Sequence, residues 1–471
     1  MSETQYNFGM IGLGTMGCNL VLNMSDKNFT VAGYDKDPAK VDALNNLAGS
    51  RPLKAFSDIS TFTNSLSTPR VIMLLVPAGP IVDAVIKELR PLLTAEDVII
   101  DCGNSHFIDT QLRIDNLSKE GLHFMGIGVS GGETGARFGP SIMPGGDKAA
   151  YQRIAPMLDA ISAKVEGVPC TAYMGTGAAG HYVKMVHNGI EYALMQLISE
   201  AYHLLKHAGR SNKELHDIFT RWNKGVLRSF LMEITAAIFE QPDESGAEML
   251  IDKIKDTAHQ KGTGAWMSQD AMKIPAPIAA IDAAVSQRIL SSLKEERVAA
   301  AGSISGATAK DMPARFEESA LENALHAAFI ITYAQGLAML QKASDSYKYG
   351  VNIATVSTIW RGGCIIRAGL LEGITEVFDK DPGLTNLMLD PAQKNTLESL
   401  LPAMRSIVQS GIGAAIPLPS FSSCIHYYDS YHSAWLPANL VQAQRDFFGA
   451  HTYERTDKPG TFHTNWNETI Q

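Results

Sequence analysis

The sequence is poor in cysteine and has no long apolar run, and each shortage excludes a class of protein. Its five cysteines are odd in number and form no Cys-x-x-Cys pair, which argues against a disulfide scaffold or a zinc site. No apolar stretch is long enough to span a membrane, and no charged leader precedes the first apolar run at residues 8–13. We therefore expect a cytoplasmic protein with no metal and no membrane contact.

Basic residues are also scarce, 40 against 49 acidic residues, which leaves a net charge of −9. A chain of this charge does not attract nucleic acid to its surface, so no nucleic-acid partner is expected. A phosphorylated small molecule would need a local basic pocket. The length of 471 residues favours two or three domains, and 45% hydrophobic residues are ample for their cores.

A glycine motif lies between a short apolar strand and a helical segment near the N-terminus. Gly12, Gly14 and Gly17 form Gly-x-Gly-x-x-Gly, whose backbone can approach a pyrophosphate at the start of the helix. The next strand ends in Asp35, at about the distance expected for the acid that binds a cofactor ribose. A glycine-rich turn without a ligand is the alternative, and the strand and helix on either side argue against it.

Further apolar strands alternate with helical segments over residues 1–178. This alternation predicts a Rossmann-like α/β domain with a parallel, doubly wound sheet. Helical periodicity over residues 179–436 predicts a large all-α domain, and residues 437–471 form a C-terminal tail. A stretch at residues 126–136 is crowded with small residues and is predicted to be a loop, either one that binds a carboxylate or a plain flexible turn.

One helical stretch, residues 180–192, combines ionisable side chains with an apolar background. Because i, i+3, i+4 and i+7 share a helix face, four polar side chains form a single stripe: Lys184, His187, Asn188 and Glu191. A helix that is apolar on its other faces is usually buried, where a Lys and a Glu are costly unless they meet a ligand, a cavity or each other. The stripe is therefore either an acid–base site or an internal ion pair.

Three basic sites interrupt the helical region. Lys261 and Thr263 lie in a glycine-containing stretch suited to gripping a phosphate, and Arg288 stands in an apolar helix where it needs an anionic partner. Arg361 and Arg367 form the third site. Each site alone is compatible with a structural role, and together they give an acidic protein a phosphate pocket.

Over essentially its whole length the chain resembles the decarboxylating 6-phosphogluconate dehydrogenases. The motifs that carry the resemblance are Val129-Ser130-Gly131-Gly132-Glu133 and residues 183–192, 260–264, 360–364 and 442–451. The first motif is shared with short β-hydroxyacid dehydrogenases, and the later ones are more specific. The resemblance implies a homodimer in which the C-terminal tail of one subunit penetrates the other.

The resemblance also implies a reaction, the oxidative decarboxylation of 6-phosphogluconate to ribulose 5-phosphate in the oxidative pentose phosphate pathway. Lys184 would take the proton of the 3-hydroxyl and then polarise the ketone, and Glu191 would protonate carbon 1 of the enediol. The implied ligands of the carboxylate and hydroxyls are Asn104, Ser130, Gly131, Gly132, His187 and Asn188. Those of the phosphate end are Tyr192, Lys261, Thr263, Arg288 and, from the neighbouring subunit, Arg445 and His451.

The cofactor implied by the resemblance is NADP or NAD. Members that use NADP commonly have alanine at the middle glycine and Asn-Arg-Thr after the second strand, whereas this chain has Gly14 and Asp35-Lys36-Asp37. Asp35 suits a free ribose 2′-hydroxyl and repels a 2′-phosphate, although Lys36 offers a cation. The family therefore favours NADP and this carboxylate favours NAD. The predicted cofactor contacts are Gly12, Gly14, Thr15, Met16, Gly17, Asp35, Lys36, Asp37, Val76, Pro77, Ala78 and Asn104.

Two other functions are compatible with parts of the sequence. One is a β-hydroxyacid dehydrogenase that acts on an unphosphorylated substrate, which would not need Lys261, Arg288 and Arg445. The other is a dinucleotide sensor or scaffold without catalysis, which would not need Lys184 and Glu191.

Overall fold

The computed structural model describes residues 5–246, 248–304 and 315–466 of the chain. The chain divides into two compact units, the first ending at Cys424 and the second beginning at Ile425. Among the described residues, every helix is too short or too polar to cross a membrane.

A seven-stranded sheet forms the N-terminal part of the first unit, in the order β3-β2-β1-β4-β5-β6-β7. Its strands are β1 (Phe8–Ile11), β2 (Val31–Tyr34), β3 (Leu53–Phe56), β4 (Val71–Leu74), β5 (Val98–Asp101), β6 (His123–Ser130) and β7 (Ser141–Gly145). Six strands are parallel, and β7 pairs with β6 in the antiparallel direction. The order reverses between β1 and β4, which is where doubly wound sheets bind their ligands.

Helices cover both faces of this sheet, so consecutive strand residues enter different cores. Met10 and Met73 pack in one core, whereas Ile11 and Ile72 pack in the other. Burial on both faces explains why the parallel strands read as continuous apolar runs. The helices and a small hairpin of this part are α1 (Thr15–Asp26), α2 (Pro38–Ala48), α3 (Ile59–Asn64), α4 (Pro80–Leu89), α5 (Phe107–Leu117), α6 (Gly132–Phe138), α7 (Lys148–Ile161), β8 (Lys164–Val165) and β9 (Val168–Pro169).

The rest of the first unit is helical. Its helices are α8 (Ala179–His207), α9 (Asn212–Asn223), α10 (Phe230–Ile238), α11 (Thr263–Lys273), α12 (Ala279–Ser292), α13 (Lys294–Ser303), α14 (Glu318–Tyr347), α15 (Ile353–Ile359), α16 (Leu370–Lys380), α17 (Pro391–Gly413) and α18 (Pro419–Tyr431), the last of which runs into the second unit. The long helices α8 and α14 pack against each other and are buried over most of their length. The predicted fold class, a Rossmann-like sheet followed by a large helical region, is confirmed.

The second unit contains the end of α18, helix α19 (Ala438–Gly449) and a hairpin of β10 (Tyr453–Glu454) and β11 (Thr461–Phe462). Helix α8 begins at Ala179, but the compact units divide after residue 424. The division into domains 1–178, 179–436 and 437–471 stays a prediction, and residues 467–471 of the predicted tail lie outside the described residues.

The predicted loop over residues 126–136 is instead strand β6 followed by helix α6. Its glycines serve close packing of the strand against α8. A Cβ atom at Gly126 would lie 2.7 Å from His181 Nδ1, and one at Gly128 would lie 2.4 Å from Lys184 Cβ. The small residues therefore allow a helix to approach the strand backbone, and the prediction of a loop was wrong because it did not take this packing into account.

Candidate functional site

The first turns of helix α8 press directly against the sheet, which buries the predicted catalytic stripe. A Cβ atom at Gly180 would lie 2.2 Å from the carbonyl oxygen of Gly126 and 2.4 Å from that of Met143. Only glycine fits at that distance. Four residues later Lys184 is 7% exposed, and His187 is fully buried.

The stripe forms one connected polar cluster around the imidazole of His187. Nδ1 of His187 lies 3.4 Å from Lys184 Nζ, 3.2 Å from Asn188 Oδ1 and 3.7 Å from Glu191 Oε2. Its Nε2 lies 3.2 Å from the hydroxyl of Ser130, at the end of β6. Five side chains predicted to act on one substrate are therefore within one small volume.

Burial shifts the protonation of this cluster towards neutral groups. It lowers the pKa of Lys184 from the ordinary 10.5, and the nearby Glu191 carboxylate opposes the shift. Burial raises the pKa of Glu191, against the opposing charges of Lys184 and Arg288. The pKa of His187 lies well below its ordinary value because burial and the Lys184 charge both disfavour an imidazolium. A Lys and a Glu whose pKa values move towards neutrality can exchange protons with a ligand.

A narrow crevice opens onto the Lys184 side of the cluster. It is lined by Asn104, Ser105, His181, Lys184, Met185, Asn188, Thr263 and Trp266. Asp101 holds the loop that carries Asn104. Its carboxylate accepts hydrogen bonds from Ser105 Oγ at 2.5 Å and from Gly103 N at 2.9 Å. His181, one turn before Lys184, lies 3.0 Å from the Asp101 carbonyl oxygen. The loop and the catalytic helix are therefore held together.

The predicted phosphate ligands of the first unit lie around the far end of the stripe and on α11. The Arg288 guanidinium carbon lies 3.6 Å from the centroid of the Tyr192 ring. Gly264 allows α11 to approach the same ring, because a Cβ atom at Gly264 would lie only 2.7 Å from the ring atoms. Thr263, the first residue of α11, lines the crevice with Lys184. Lys261 is exposed and lines a second, larger cavity instead, the predicted cofactor cavity beside the glycine loop.

A cavity of about 710 Å³ lies along the carboxyl ends of the central strands. Of the predicted cofactor contacts it is lined by Gly14, Thr15, Met16, Gly17, Val76, Pro77, Ala78 and Asn104. No side chain caps the first N–H groups of α1, and a Cβ atom at Gly14 would meet nothing within 4 Å. The uncapped helix end and the open glycine fit the pyrophosphate of a dinucleotide.

Four of the predicted contacts lie outside this lining. Gly12, with φ of +95°, allows the loop to pass the backbone of Leu75, because a Cβ atom would lie 2.4 Å from Leu75 O. The Asp35 carboxylate accepts hydrogen bonds from the backbone N–H of Leu13 at 2.8 Å and of Asp37 at 3.0 Å. Lys36 forms an ion pair with Glu88 at 2.6 Å. Asp37 caps helix α2 through the N–H of Ala39.

The backbone glycines after β6 are also placed by packing. Gly131 has φ of +118°, and a Cβ atom there would lie 2.5 Å from the carbonyl oxygen of Gly363. Gly132, with φ of +63°, begins α6 and has open space around its Cα. Arg445 and His451 belong to the second unit, and their role in the site stays a prediction.

Four residues that line the crevice were not predicted from the sequence as site residues, namely Ser105, His181, Met185 and Trp266. His181 precedes Lys184 by three residues, so the same helix spacing that found the stripe could have found it. Trp266 follows Thr263 by three residues on α11 and lines both the crevice and the cofactor cavity. The ring of His106, which lines the cofactor cavity, packs against the ring of Trp266 with their centroids 4.8 Å apart.

Comparison with known protein families covers nearly the whole chain. Residues 7–185 match the family described as the NAD binding domain of 6-phosphogluconate dehydrogenase. Residues 180–466 match the family described as the C-terminal domain of 6-phosphogluconate dehydrogenase.

Individual relatives match over their full length. The chain is 50% identical over 469 residues, 99% of this chain and 100% of the relative, to the NADP(+)-dependent, decarboxylating 6-phosphogluconate dehydrogenase of Bacillus subtilis (strain 168). It is 48% identical over 466 residues, 98% of this chain and 99% of the relative, to the decarboxylating enzyme of Synechococcus elongatus. A solved structure of Plasmodium falciparum 6-phosphogluconate dehydrogenase, described in its apo form and in complex with NADP+ and with 6-phosphogluconate, has a TM-score of 0.93 at 39% identity and covers 98% of this chain and 100% of its own.

Proposed function

The chain belongs to the 6-phosphogluconate dehydrogenase family, and from this premise we propose that it converts 6-phosphogluconate to ribulose 5-phosphate and carbon dioxide while reducing NADP or NAD. The observation that carries the proposal is the buried cluster of Lys184, His187 and Glu191 beside a crevice that meets the cofactor cavity at Asn104. Matches over 98% or more of the chain support this function over a dehydrogenase for an unphosphorylated β-hydroxyacid.

Lys184 is the proposed base of the oxidation step. Because burial lowers its pKa, the amine accepts the proton of the substrate 3-hydroxyl more readily than an exposed lysine would. When bound, the nicotinamide cofactor accepts the hydride that leaves carbon 3. The product of this step is a 3-keto acid, whose carboxylate is β to the new carbonyl.

The same side chain then acts as the acid of the decarboxylation. The Lys184 ammonium returns its proton to the carbonyl oxygen as the electron pair of the breaking carbon–carboxylate bond moves towards that oxygen and carbon dioxide leaves, so Lys184 becomes neutral again. This leaves an enediol of five carbons. Glu191, whose pKa burial raises, is the proposed donor of the proton to carbon 1 of that enediol, while the neutral Lys184 takes the proton of the enediol hydroxyl and the ketone of ribulose 5-phosphate forms. His187, neutral by burial, and Asn188 orient the lysine and the substrate.

The remaining polar residues are proposed to bind the two ends of the substrate. Ser130, Gly131, Gly132 and Asn104 hold the carboxylate and hydroxyls. The phosphate end is bound by Tyr192, Lys261, Thr263 and Arg288, and by Arg445 and His451 of a second subunit. In this account the cationic groups satisfy an anion that an acidic protein would otherwise repel.

We propose that the protein is a homodimer in the cytoplasm. The second unit leaves large apolar side chains exposed in the single chain, including Trp435 at 68%, Leu440 at 61% and Phe448 at 73%. Leu440 and Phe448 line one apolar cavity, and an exposed apolar surface of this kind is typical of a subunit contact. All five cysteines are free thiols, which suits a reducing compartment.

Initial rates with 6-phosphogluconate and with gluconate, at several concentrations of NADP and NAD, test the substrate. We expect turnover with 6-phosphogluconate and a far higher KM for gluconate, which lacks the phosphate. Equal KM values for the two substrates would contradict the phosphate pocket.

The variant Lys184→Ala tests the chemistry. It should bind 6-phosphogluconate in a calorimetric titration yet lose turnover by roughly 100-fold or more, the usual effect of removing a general base. Lys206→Ala is the matched control, because Lys206 lies on the same helix but is exposed and pairs with Asp252. A Lys184→Ala enzyme with near-normal kcat would remove Lys184 from its proposed role.

A further inference from the structure

We infer that Asp446 is a positioning residue of the substrate site, one that fixes Arg445 and His451 as a preformed phosphate-binding pair. The inference rests on the proposed function, in which these two side chains bind the substrate phosphate. Asp446 lies directly after Arg445 in the last turns of α19.

The Asp446 carboxylate is fully buried in a unit that has few other buried groups. Each of its oxygens accepts two hydrogen bonds from N–H groups. Oδ1 accepts from Thr452 N and His463 Nδ1, both at 2.9 Å, and Oδ2 accepts from Thr464 N at 3.0 Å and Trp466 Nε1 at 2.8 Å. A buried carboxylate with all four positions filled is an ordered, low-mobility anchor.

These four donors lie at both ends of the hairpin. Thr452 immediately precedes β10, whereas residues 463–466 follow β11. The carboxylate therefore binds both strands of the hairpin to the C-terminal end of α19. An anion at this end of a helix is disfavoured by the helix dipole, so the residue is better explained by its donors than by helix stability.

The conformation of His451 depends on the same residue. Its neighbours Ala450 and Thr452 have φ of +48° and +60°, which residues other than glycine seldom adopt. Asp446 holds both of them, because its carbonyl oxygen accepts from Ala450 N at 2.9 Å and its Oδ1 accepts from Thr452 N. Loss of the carboxylate removes the bond to Thr452 N, which is one of the two restraints on the turn that presents His451.

Arg445 is connected to the same turn through Gln442. The Arg445 guanidinium donates to Gln442 Oε1 at 3.0 Å, and Gln442 Nε2 donates to the carbonyl oxygen of Thr452 at 2.5 Å. Both side chains of the proposed phosphate site therefore depend on the position of Thr452. Asp446 sets that position.

Asp446→Asn in the full-length enzyme tests the inference. The amide keeps the size of the side chain but presents an N–H group to two existing donors, so the turn is released. The KM for 6-phosphogluconate should rise roughly 10- to 100-fold, as expected when hydrogen bonds to a buried charge are lost, while kcat and the cofactor KM change by less than about threefold. Added to the double variant Arg445→Ala/His451→Ala, the substitution should raise KM by less than about threefold further, because Asp446 acts through those two side chains.

Asp457→Asn is the matched control, since Asp457 lies in the same unit but is exposed and pairs only with the adjacent Arg455 in the described contacts. It should leave KM unchanged. Trp466→Phe provides a milder variant that removes one donor and keeps a ring, and should raise KM roughly threefold to tenfold.

An unchanged KM in Asp446→Asn and Trp466→Phe, or a loss confined to kcat, would overturn the inference. An Asp446→Asn protein that does not fold leaves Trp466→Phe to decide. Absence of 6-phosphogluconate turnover in the unaltered enzyme would instead contradict the proposed function, so the two failures are distinguishable.

Discussion

Cofactor selection should depend on Asp35, and the substitution Asp35→Asn measures how much. The carboxylate follows β2 and contacts the glycine loop through Leu13 N, so it lies on the side of the loop where a Rossmann fold places the cofactor ribose. Replacing it with the amide removes a negative charge and little volume. The ratio of kcat/KM with NADP to kcat/KM with NAD should therefore rise.

The size of the change follows from charge and exposure. Two unit charges about 4 Å apart interact by ~4 kcal/mol at an effective dielectric constant of 20 and by ~1 kcal/mol in bulk water. The Asp35 side chain is 12% exposed, which favours the stronger value, but two N–H groups and Lys40 at 3.5 Å already offset its charge. We expect about 1–2 kcal/mol, which is roughly a 5- to 30-fold rise in the ratio. Hydrogen bonds lost to the backbone weaken both cofactors alike and cancel in the ratio.

The assay is initial rates with each cofactor at saturating 6-phosphogluconate. Asp42→Asn, on the exposed side of α2, is the control and should leave the ratio unchanged. Glu88→Gln frees Lys36 from its exposed ion pair and should raise the ratio by less than about fivefold, since exposed pairs contribute ~1 kcal/mol or less. A ratio that stays constant or falls in Asp35→Asn would refute the reasoning, because the carboxylate would then not face the 2′ position.

Three further outcomes are expected. Lys184→Met should raise Tm at pH 7, because it removes a buried charge. Burial lowers the folded-state pKa of Lys184, so wild-type stability rises with pH between that pKa and 10.5, and the gain in Tm should shrink as the pH approaches 10.5. A difference in Tm that does not depend on pH would contradict the buried charge. Gly189→Ala should cost about 1–3 kcal/mol in denaturant unfolding, because its Cβ would lie 2.0 Å from Met267 Sδ in a closed core, whereas Gly302→Ala, with open space around it, should cost nothing. Lys184→Ala and Arg445→Ala subunits, when co-expressed, should form mixed dimers with one intact site, which combines Lys184 of one subunit with Arg445 of the other. These dimers should show a normal KM for 6-phosphogluconate. Activity with only the elevated KM of Arg445→Ala would show that the tail acts within its own subunit.

Local patterns sufficed where one element alone determines the arrangement. The glycine motif, the strands around it and the polar stripe of α8 depend on spacing within a single strand or helix, and the predicted helical stretch at residues 180–192 lies within α8. Strand β6 was mistaken for a loop because its glycines are required for packing against a helix about 50 residues further along the chain, at Gly180 and Lys184. Periodicity carries no information about such a crossing.

Other features depend on contacts between distant residues and were therefore beyond local reasoning. Helical periodicity over residues 179–436 predicts helices but not where each one ends, such as the helix end at Leu293 between α12 and α13. The four donors to Asp446 are 6 to 20 residues away from it and include two backbone groups, which no side-chain motif encodes. The placement of Asp35 beside the Leu13 N–H likewise emerges only when β1 and β2 pair.

The most direct test of the central claim couples decarboxylation to oxidation at one lysine. 6-Phosphogluconate labelled in its carboxyl carbon is incubated with enzyme and cofactor, and labelled carbon dioxide is counted against the nicotinamide reduced. The assignment of both steps to Lys184 predicts one carbon dioxide for each nicotinamide reduced, and loss of both products in Lys184→Ala with substrate binding retained. Nicotinamide reduction without labelled carbon dioxide, or full coupling in Lys184→Ala, would contradict it.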